Sequence, residues 1–79
     1  SNGVFAITNK NELWKLQPGW LAGYTQDRDL MRRIKRYKKD WRIMGEYFKN
    51  GRLIGLQYKI PSKQRRSAER MFNCKVAKN

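Results

Sequence analysis

The segment Trp41–Ile60, WRIMGEYFKNGRLIGLQYKI, contains the strongest local structural signal in the chain. At its centre, Asn50 and Gly51 occupy the two positions of a type I′ turn that require a positive φ. Such a turn sets Lys49 opposite Arg52, and counting outward along both strands predicts pairs that share one apolar face. An isolated hairpin is only marginally stable, so the rest of the chain must cover this face. The predicted pairs are Tyr47 with Ile54, Gly45 with Leu56, Ile43 with Tyr58 and Trp41 with Ile60.

The residues before this hairpin predict three further strands. Val4–Thr8 and Leu13–Leu16 are rich in β-forming residues and flank the turn-like Asn9–Asn11, which indicates an N-terminal hairpin. Pro18–Gly19 suits the centre of a type II turn and is expected to end that hairpin. Trp20–Tyr24 is short and apolar and is interpreted as a third strand, although a helix would also accommodate it.

Two helices are predicted, one before and one after the central hairpin. The first has Thr25 or Asp27 as its capping residue and runs to about Lys39. The second starts at Pro61–Ser62 and runs to about Phe72. The fold class is therefore α+β, with an antiparallel sheet of about five strands and two helices on one face, in the order β-β-β-α-β-β-α. The expected apolar positions are Leu30, Met31, Ile34 and Tyr37 in the first helix and Ala68, Met71 and Phe72 in the second.

Composition indicates a small domain with a strong positive charge. The 79 residues include 19 Lys and Arg against six Asp and Glu, a formal net charge of +13. Because such an excess repels itself in a folded chain, we expect a polyanionic partner. One cysteine, Cys74, leaves no internal disulfide and fits a reducing compartment, so the expected location is intracellular, in the cytoplasm or nucleoid. No apolar run reaches membrane-spanning length and no signal peptide is visible, so no membrane partner is expected.

The expected domain boundaries follow from the same pattern. Ser1–Asn2 are typical of a remnant that protease cleavage leaves after expression. Residues 3–73 are expected to form the single domain, and residues 74–79 a frayed tail. Whether the chain is a complete protein or an excised domain stays open.

The candidate binding residues are basic side chains of the first helix, the central hairpin and the last helix. In the first helix, Arg32 with Arg36 and Lys35 with Lys39 are like-charge i,i+4 pairs, which suit external phosphates better than solvent alone. The hairpin contributes cations at its tip and on its outer face, in the form of a wing that straddles a nucleic-acid backbone. The predicted nucleic-acid-binding residues are Arg28, Arg32, Arg33, Lys35, Arg36, Lys39, Arg42, Lys49, Arg52, Lys59, Arg65, Arg66 and Arg70.

The aromatic side chains have two interpretations. Trp20, Trp41, Tyr47 and Tyr58 are expected in the core in preference to a base-stacking surface. Phe48 lies on the other face of the predicted hairpin, where it would stack on an unpaired base or pack under the N-terminal hairpin. Packing is the favoured interpretation.

The sequence contains no pattern typical of an enzyme. It has no histidine, which removes the commonest general base, and a single cysteine cannot build a zinc cluster. The six acids are scattered, and Asp27 and Asp29 are explained as charges at a helix start. No catalytic residue, metal site or cofactor is therefore expected.

Two short resemblances bear on function. Leu21–Asp29, LAGYTQDRD, resembles the LAGLIDADG helix of homing endonucleases over three residues. Gln26 and Arg28 stand where that family carries acids, the second of which binds the catalytic metal, so an active homing endonuclease is rejected. The succession of hairpin, basic helix, KNG-tipped hairpin and a last helix containing Arg66–Glu69 resembles the double-wing DNA-binding domain of phage transcription activators. That resemblance implies contact with DNA through the hairpins.

The sequence thus predicts a small non-enzymatic nucleic-acid-binding domain, of the kind found among phage or mobile-element regulatory proteins. Its basic helix and hairpin tip would contact the phosphate backbone, with duplex DNA favoured over RNA. One alternative is an adaptor or inhibitor that binds an acidic protein. A weaker alternative is an accessory fragment of a larger nucleic-acid enzyme. Sequence specificity and oligomeric state are not predicted.

Overall fold

The computed structural model describes residues 10–78 as an antiparallel sheet with two helices. The strands lie in the order β1-β2-β4-β3. The α+β class and the two helices are confirmed, but the expected five-strand order is wrong, because the described residues contain four strands in the order β-β-α-β-β-α. The predicted strand Val4–Thr8 lies outside the described residues. The elements are β1 (Asn11–Gln17), β2 (Trp20–Thr25), α1 (Arg28–Tyr37), β3 (Arg42–Lys49), β4 (Arg52–Pro61), a 3-10 turn (Ser62–Gln64) and α2 (Arg65–Phe72).

β1 and β2 form a hairpin around Pro18–Gly19. Gln17 pairs with Trp20 across the turn. Gly19 has a φ of 88°, the positive value that the third residue of a type II turn requires. The turn therefore joins two strands, whereas the sequence suggested that it ends a hairpin. The interpretation of Trp20–Tyr24 as a strand is confirmed, because β2 pairs with β1 on one side and β4 on the other.

The tip of the β3–β4 hairpin has the expected geometry. Asn50 and Gly51 have φ values of 52° and 77°, and Lys49 pairs with Arg52. Asparagine tolerates the left-handed region better than most residues, and glycine has no Cβ to oppose it. The local turn chemistry therefore determines this end of the hairpin.

Two β-bulges change the register between the tip and the base of this hairpin. Met44 is an extra residue on β3, and Ile54 is an extra residue on β4. Their shifts cancel, so the expected pair of Ile43 with Tyr58 is retained. Between the bulges, the side chains of β3 that point to the core are the ones that were expected to point away from it. The observed pairs there are Gly45–Gln57, Glu46–Leu56 and Tyr47–Gly55, in place of the expected Tyr47–Ile54 and Gly45–Leu56.

α1 is capped by Asp27. The Asp27 Oδ1 accepts hydrogen bonds from the backbone N–H groups of Asp29 at 2.9 Å and Leu30 at 3.3 Å. Thr25, the other candidate cap, accepts a hydrogen bond from the Asp27 N–H instead. The helix ends at Tyr37, earlier than expected, and this residue is 67% exposed instead of lying in the apolar stripe.

Both helices pack on the same face of the sheet, called the inner face below. Phe72 of α2 lies directly over Gly23 of β2, where a Cβ would be 2.7 Å from the Phe72 Cζ. Burial between sheet and helices raises the pKa of Tyr58 to about 12. The core consists of Leu13, Leu21, Leu30, Met31, Ile34, Trp41, Leu56, Tyr58, Ile60, Ala68, Phe72 and Val76.

The residues after α2 run back along β1. Asn73, with a φ of 54°, ends the helix, and Val76 forms a parallel bridge with Leu13. The Glu69 carboxylate accepts a hydrogen bond from the Val76 N–H at 2.9 Å. This bond, with a second one from Arg65, holds the pKa of Glu69 below its usual value. Val76 is buried, so this part of the segment predicted as a tail packs against the sheet.

Candidate nucleic-acid interface

α1 turns its basic side chains away from the core. Leu30, Met31 and Ile34 are buried against the sheet, which leaves the rest of the helix surface to charged residues. The amphipathic spacing of the sequence therefore produces a cationic surface on the solvent-exposed side of α1. The exposed cations of this segment are Arg28, Arg32, Arg33, Lys35, Arg36 and Lys39.

The cations near the start of α1 have partners within the chain. The Asp29 carboxylate lies 3.5 Å from the Arg32 Nη2 and 3.2 Å from the Arg33 Nε. The Arg28 Nη2 donates a hydrogen bond to the Leu53 carbonyl at 2.8 Å, which ties α1 to β4. Exposed ion pairs of this kind contribute little to stability, so they leave the guanidinium groups able to meet an external anion.

The cations near the end of α1 have no acidic partner among residues 10–78. Lys35, Arg36 and Lys39 form no salt bridge there. The Lys39 Nζ donates a hydrogen bond to the Lys35 carbonyl at 3.2 Å, and the Arg36 guanidinium lies 5.8 Å from the Tyr37 ring centre. These three side chains are the most available to an external phosphate.

A cleft of about 540 Å³ joins the start of α1 to the hairpin tip. Arg28 borders it from the helix, and Lys49 and Arg52 border it from the tip. Three of the residues predicted from sequence, drawn from separate elements, thus line one cleft. The other lining residues are Gln26, Asn50, Leu53 and Ile54.

The other predicted binding residues lie elsewhere on the molecule. Arg42 and Lys59 pair on the outer face of the sheet, opposite the helices. Arg65 is 3.3 Å from a carboxylate of its own helix. Arg66 and Arg70 line a separate depression beside the C-terminal segment. The predicted residues are therefore spread over more than one surface, which sequence alone could not reveal.

The aromatic residues divide between the two faces of the sheet. Trp41 and Tyr58 are buried in the core as expected. The expectation is wrong for Tyr47, which is 42% exposed, and for Trp20, which is half-buried on the outer face beside Lys59. The bulges explain Tyr47, because its position inside the shifted register turns it outward.

A second groove, of about 530 Å³, lies between α1 and the β3–β4 hairpin. Its floor is apolar and includes Leu53, Leu56 and Ile43, the last of which is 51% exposed. Glu46 also borders the groove. The rim along α1 is basic and consists of Arg32, Lys35, Lys38 and Lys39.

Within the part of the chain that the structure describes, no three Asp, Glu, His or Cys side chains come close enough together to hold a metal ion. No helix there is long and apolar enough to cross a membrane. Leu21–Thr25, the start of the LAGLIDADG-like segment, is a strand, whereas that motif is helical. In comparisons with protein families, curated proteins and solved structures, none matched this chain.

Proposed function

We propose that this protein is a small non-enzymatic nucleic-acid-binding domain that holds the phosphate backbone with α1 and the tip of the β3–β4 hairpin. Duplex DNA is the first candidate ligand and RNA the second. The observation that carries the proposal is the cleft that Arg28 shares with Lys49 and Arg52, at one end of a helix lined with exposed cations. The cations of the cleft and of the helix thus come from α1 and from the hairpin tip.

The electrostatics of α1 support the same function. Lys35 lies in the last turn of α1 and Lys39 lies two residues beyond its end, so the expected helical i,i+4 pair of these residues is not formed. Neither lysine has an acidic partner in the described chain, which leaves both cations free to meet a phosphate. With a net charge of +13, binding would be dominated by counterion release. If about six phosphates of a duplex are contacted, the slope of log K against log[salt] is roughly −5.

The test compares two triple variants that remove the same charge. In the first, Lys35, Arg36 and Lys39 become glutamine. Loss of three phosphate contacts should reduce the salt slope on a 20-base-pair duplex by about 2.7 and weaken binding at 0.1 M salt by roughly 500-fold. The control carries glutamine at three exposed lysines outside the proposed contact surface, Lys15, Lys63 and Lys78.

The control should keep a salt slope close to that of the unchanged protein, since its lysines contact no phosphate. Fluorescence anisotropy over four salt concentrations measures both slopes, and circular dichroism verifies folding. If the two variants lose affinity and salt slope equally, only total charge matters, and the assignment of the contacts to α1 is overturned. Failure of the unchanged protein to bind any DNA or RNA oligonucleotide at 50 mM salt would overturn the function itself.

A second candidate function is binding of an acidic protein, which the groove between α1 and the β3–β4 hairpin favours. An apolar floor with a basic rim is complementary to an amphipathic acidic segment. Pull-down before and after nuclease treatment separates the candidates. If the proposed function holds, co-purifying proteins disappear with the nucleic acid. If the second candidate holds, one acidic protein stays bound, and Ile43→Glu in the groove floor releases it.

A further inference from the structure

The outer face of the sheet carries a row of four paired residues, of which one is aromatic and two are cationic. Ala22 of β2 pairs with Trp14 of β1 and with Lys59 of β4, and Lys59 pairs in turn with Arg42 of β3. Residues paired directly across neighbouring strands share a face. The row therefore crosses all four strands, and Lys59 lies on the side of β4 opposite its buried neighbour Tyr58.

A second group of side chains lies beside this row. Tyr24 pairs with Gln57, and Tyr47 pairs with Gly55. The rings of Tyr24 and Tyr47 meet edge to face, with centres 5.4 Å apart. Gly55 makes this possible, because the Tyr24 hydroxyl occupies the space that a Cβ there would fill.

Hydrogen bonds hold these rings in place. The Gln26 Nε2 donates to the Tyr24 hydroxyl at 2.9 Å, and the Tyr47 hydroxyl donates to the Gln57 Oε1 at 3.1 Å. Tyr47 is nevertheless 42% exposed. An oriented ring that keeps an accessible surface is prepared to receive a flat ligand at low entropic cost.

Neither helix covers this face. The core lies between the inner face and the helices, and it includes none of the four outer aromatics, Trp14, Trp20, Tyr24 and Tyr47. The Lys59 Nζ lies 4.3 Å from the centre of the Trp20 ring, so a cation is held against an aromatic surface. Planar rings next to cations match a ligand that alternates flat bases with phosphates.

We propose that the outer face binds an unpaired stretch of nucleic acid, with a base on Tyr47 and phosphates on Lys59 and Arg42. The inference rests on the proposed function and adds that the ligand has a single-stranded segment. Bases inside a duplex are stacked on one another and leave no surface free for a ring, whereas aromatic residues of single-strand binders stack on bases of any sequence. A protein partner with a purely apolar surface, docked on this face, would leave Lys59 and Arg42 without counter-charges.

Two alanine variants of neighbouring residues test this proposal. Tyr47→Ala removes the outer ring, and Phe48→Ala removes an even more exposed ring (59%) that points to the other face of the same strand. Affinity for a 12-residue oligo-dT is measured by anisotropy at fixed salt. Tyr47→Ala should weaken it by about 5- to 150-fold, the range expected for the loss of one stacked base. Phe48→Ala should stay within about twofold of the unchanged protein.

A duplex of the same length is the second ligand, and its affinity should be insensitive to Tyr47→Ala. Arg42→Gln with Lys59→Gln should weaken oligo-dT binding and lower its salt slope by about 1.4. Thermal melting verifies folding, and Tyr47→Leu serves as the second variant if alanine lowers stability.

The possible failures are distinguishable. If no oligonucleotide binds, the proposed function fails and this inference fails with it. If duplex binds but oligo-dT does not, or if the Tyr47 and Phe48 variants behave alike, the outer face is not a single-strand site, and the function of α1 stands. A co-purifying protein that resists nuclease and is lost with Tyr47→Ala would show that the face binds protein, which also overturns the inference.

Discussion

Gly23→Ala tests the contact that places α2 on the inner face. The new Cβ would lie 2.7 Å from the Phe72 Cζ and 3.0 Å from both the Ile60 Cδ1 and the Leu13 Cδ2. These three neighbours are at most 2% exposed, so none of them has open space to move into. Overpacking of this kind costs about 1–3 kcal/mol. Alanine also gives the unfolded chain less conformational entropy than glycine does, and this stabilises the folded state by about 0.4–1 kcal/mol.

The net loss of about 1–2 kcal/mol should lower the melting temperature by roughly 5–15 °C for a domain of this size. Thermal and urea unfolding followed by circular dichroism give the value. Gly45→Ala is the matched control. It adds the same methyl group to a strand, but its nearest neighbours, the Tyr47 hydroxyl at 3.1 Å and the Tyr47 Cε2 at 3.3 Å, are farther away and belong to a side chain that is 42% exposed. Its melting temperature should change by no more than about 4 °C.

A double variant strengthens the test, because Phe72→Leu removes the atom that the new methyl group meets. Phe72→Leu should therefore be less destabilising in the Gly23→Ala background than alone, with a coupling of about 0.5–3 kcal/mol. A Gly23→Ala protein that melts at or above the temperature of the unchanged protein would refute the packing of Phe72 on β2.

Two further changes have expected outcomes. Because the pKa of Tyr58 is raised to about 12 from its usual value near 10, its protonated form favours the folded state, and this contribution is complete below pH 10 and is lost as pH rises through 12. The free energy of unfolding should fall by about 2–3 kcal/mol more between pH 9 and 12 in the unchanged protein than in Tyr58→Phe, as measured by urea titration. Trp41→Phe removes the indole N–H that donates to the Gln64 Oε1 at 2.8 Å, and should cost about 1–2 kcal/mol in urea unfolding. The same Trp41→Phe change is also made in a Gln64→Ala protein. If it lowers the free energy of unfolding by as much there as it does when Gln64 is present, the hydrogen bond contributes nothing.

Local chemistry predicted much of the fold. Asn50–Gly51 determined the hairpin tip, because few other residue pairs adopt two successive positive φ values. Asp27 served as a helix cap through its own side chain, and the apolar spacing of α1 identified Leu30, Met31 and Ile34 as buried. Each of these features depends on residues close together in sequence, so a reader of the sequence can recognise them.

The bulges explain most of what could not be predicted. Nothing in the residue types of Met44 and Ile54 marks them as extra residues, since a bulge is set by how two strands fit their neighbours. The resulting shift turned Tyr47 outward and Glu46 inward, against the alternation expected from the turn. The grouping of the basic residues was equally hidden, because Arg28 meets the hairpin tip only through the tertiary fold.

The paired bulges also bear on how the chain could vary in length. Deleting Met44 alone, or Ile54 alone, would convert one bulge into a regular ladder and leave every other pair in place. A deletion at Tyr58 or Ile60 has no such spare residue to absorb it and would turn the rest of β4 inside out. Among homologous chains, we therefore expect single-residue gaps in this hairpin to accumulate at those two positions, with the Asn-Gly tip intact between them.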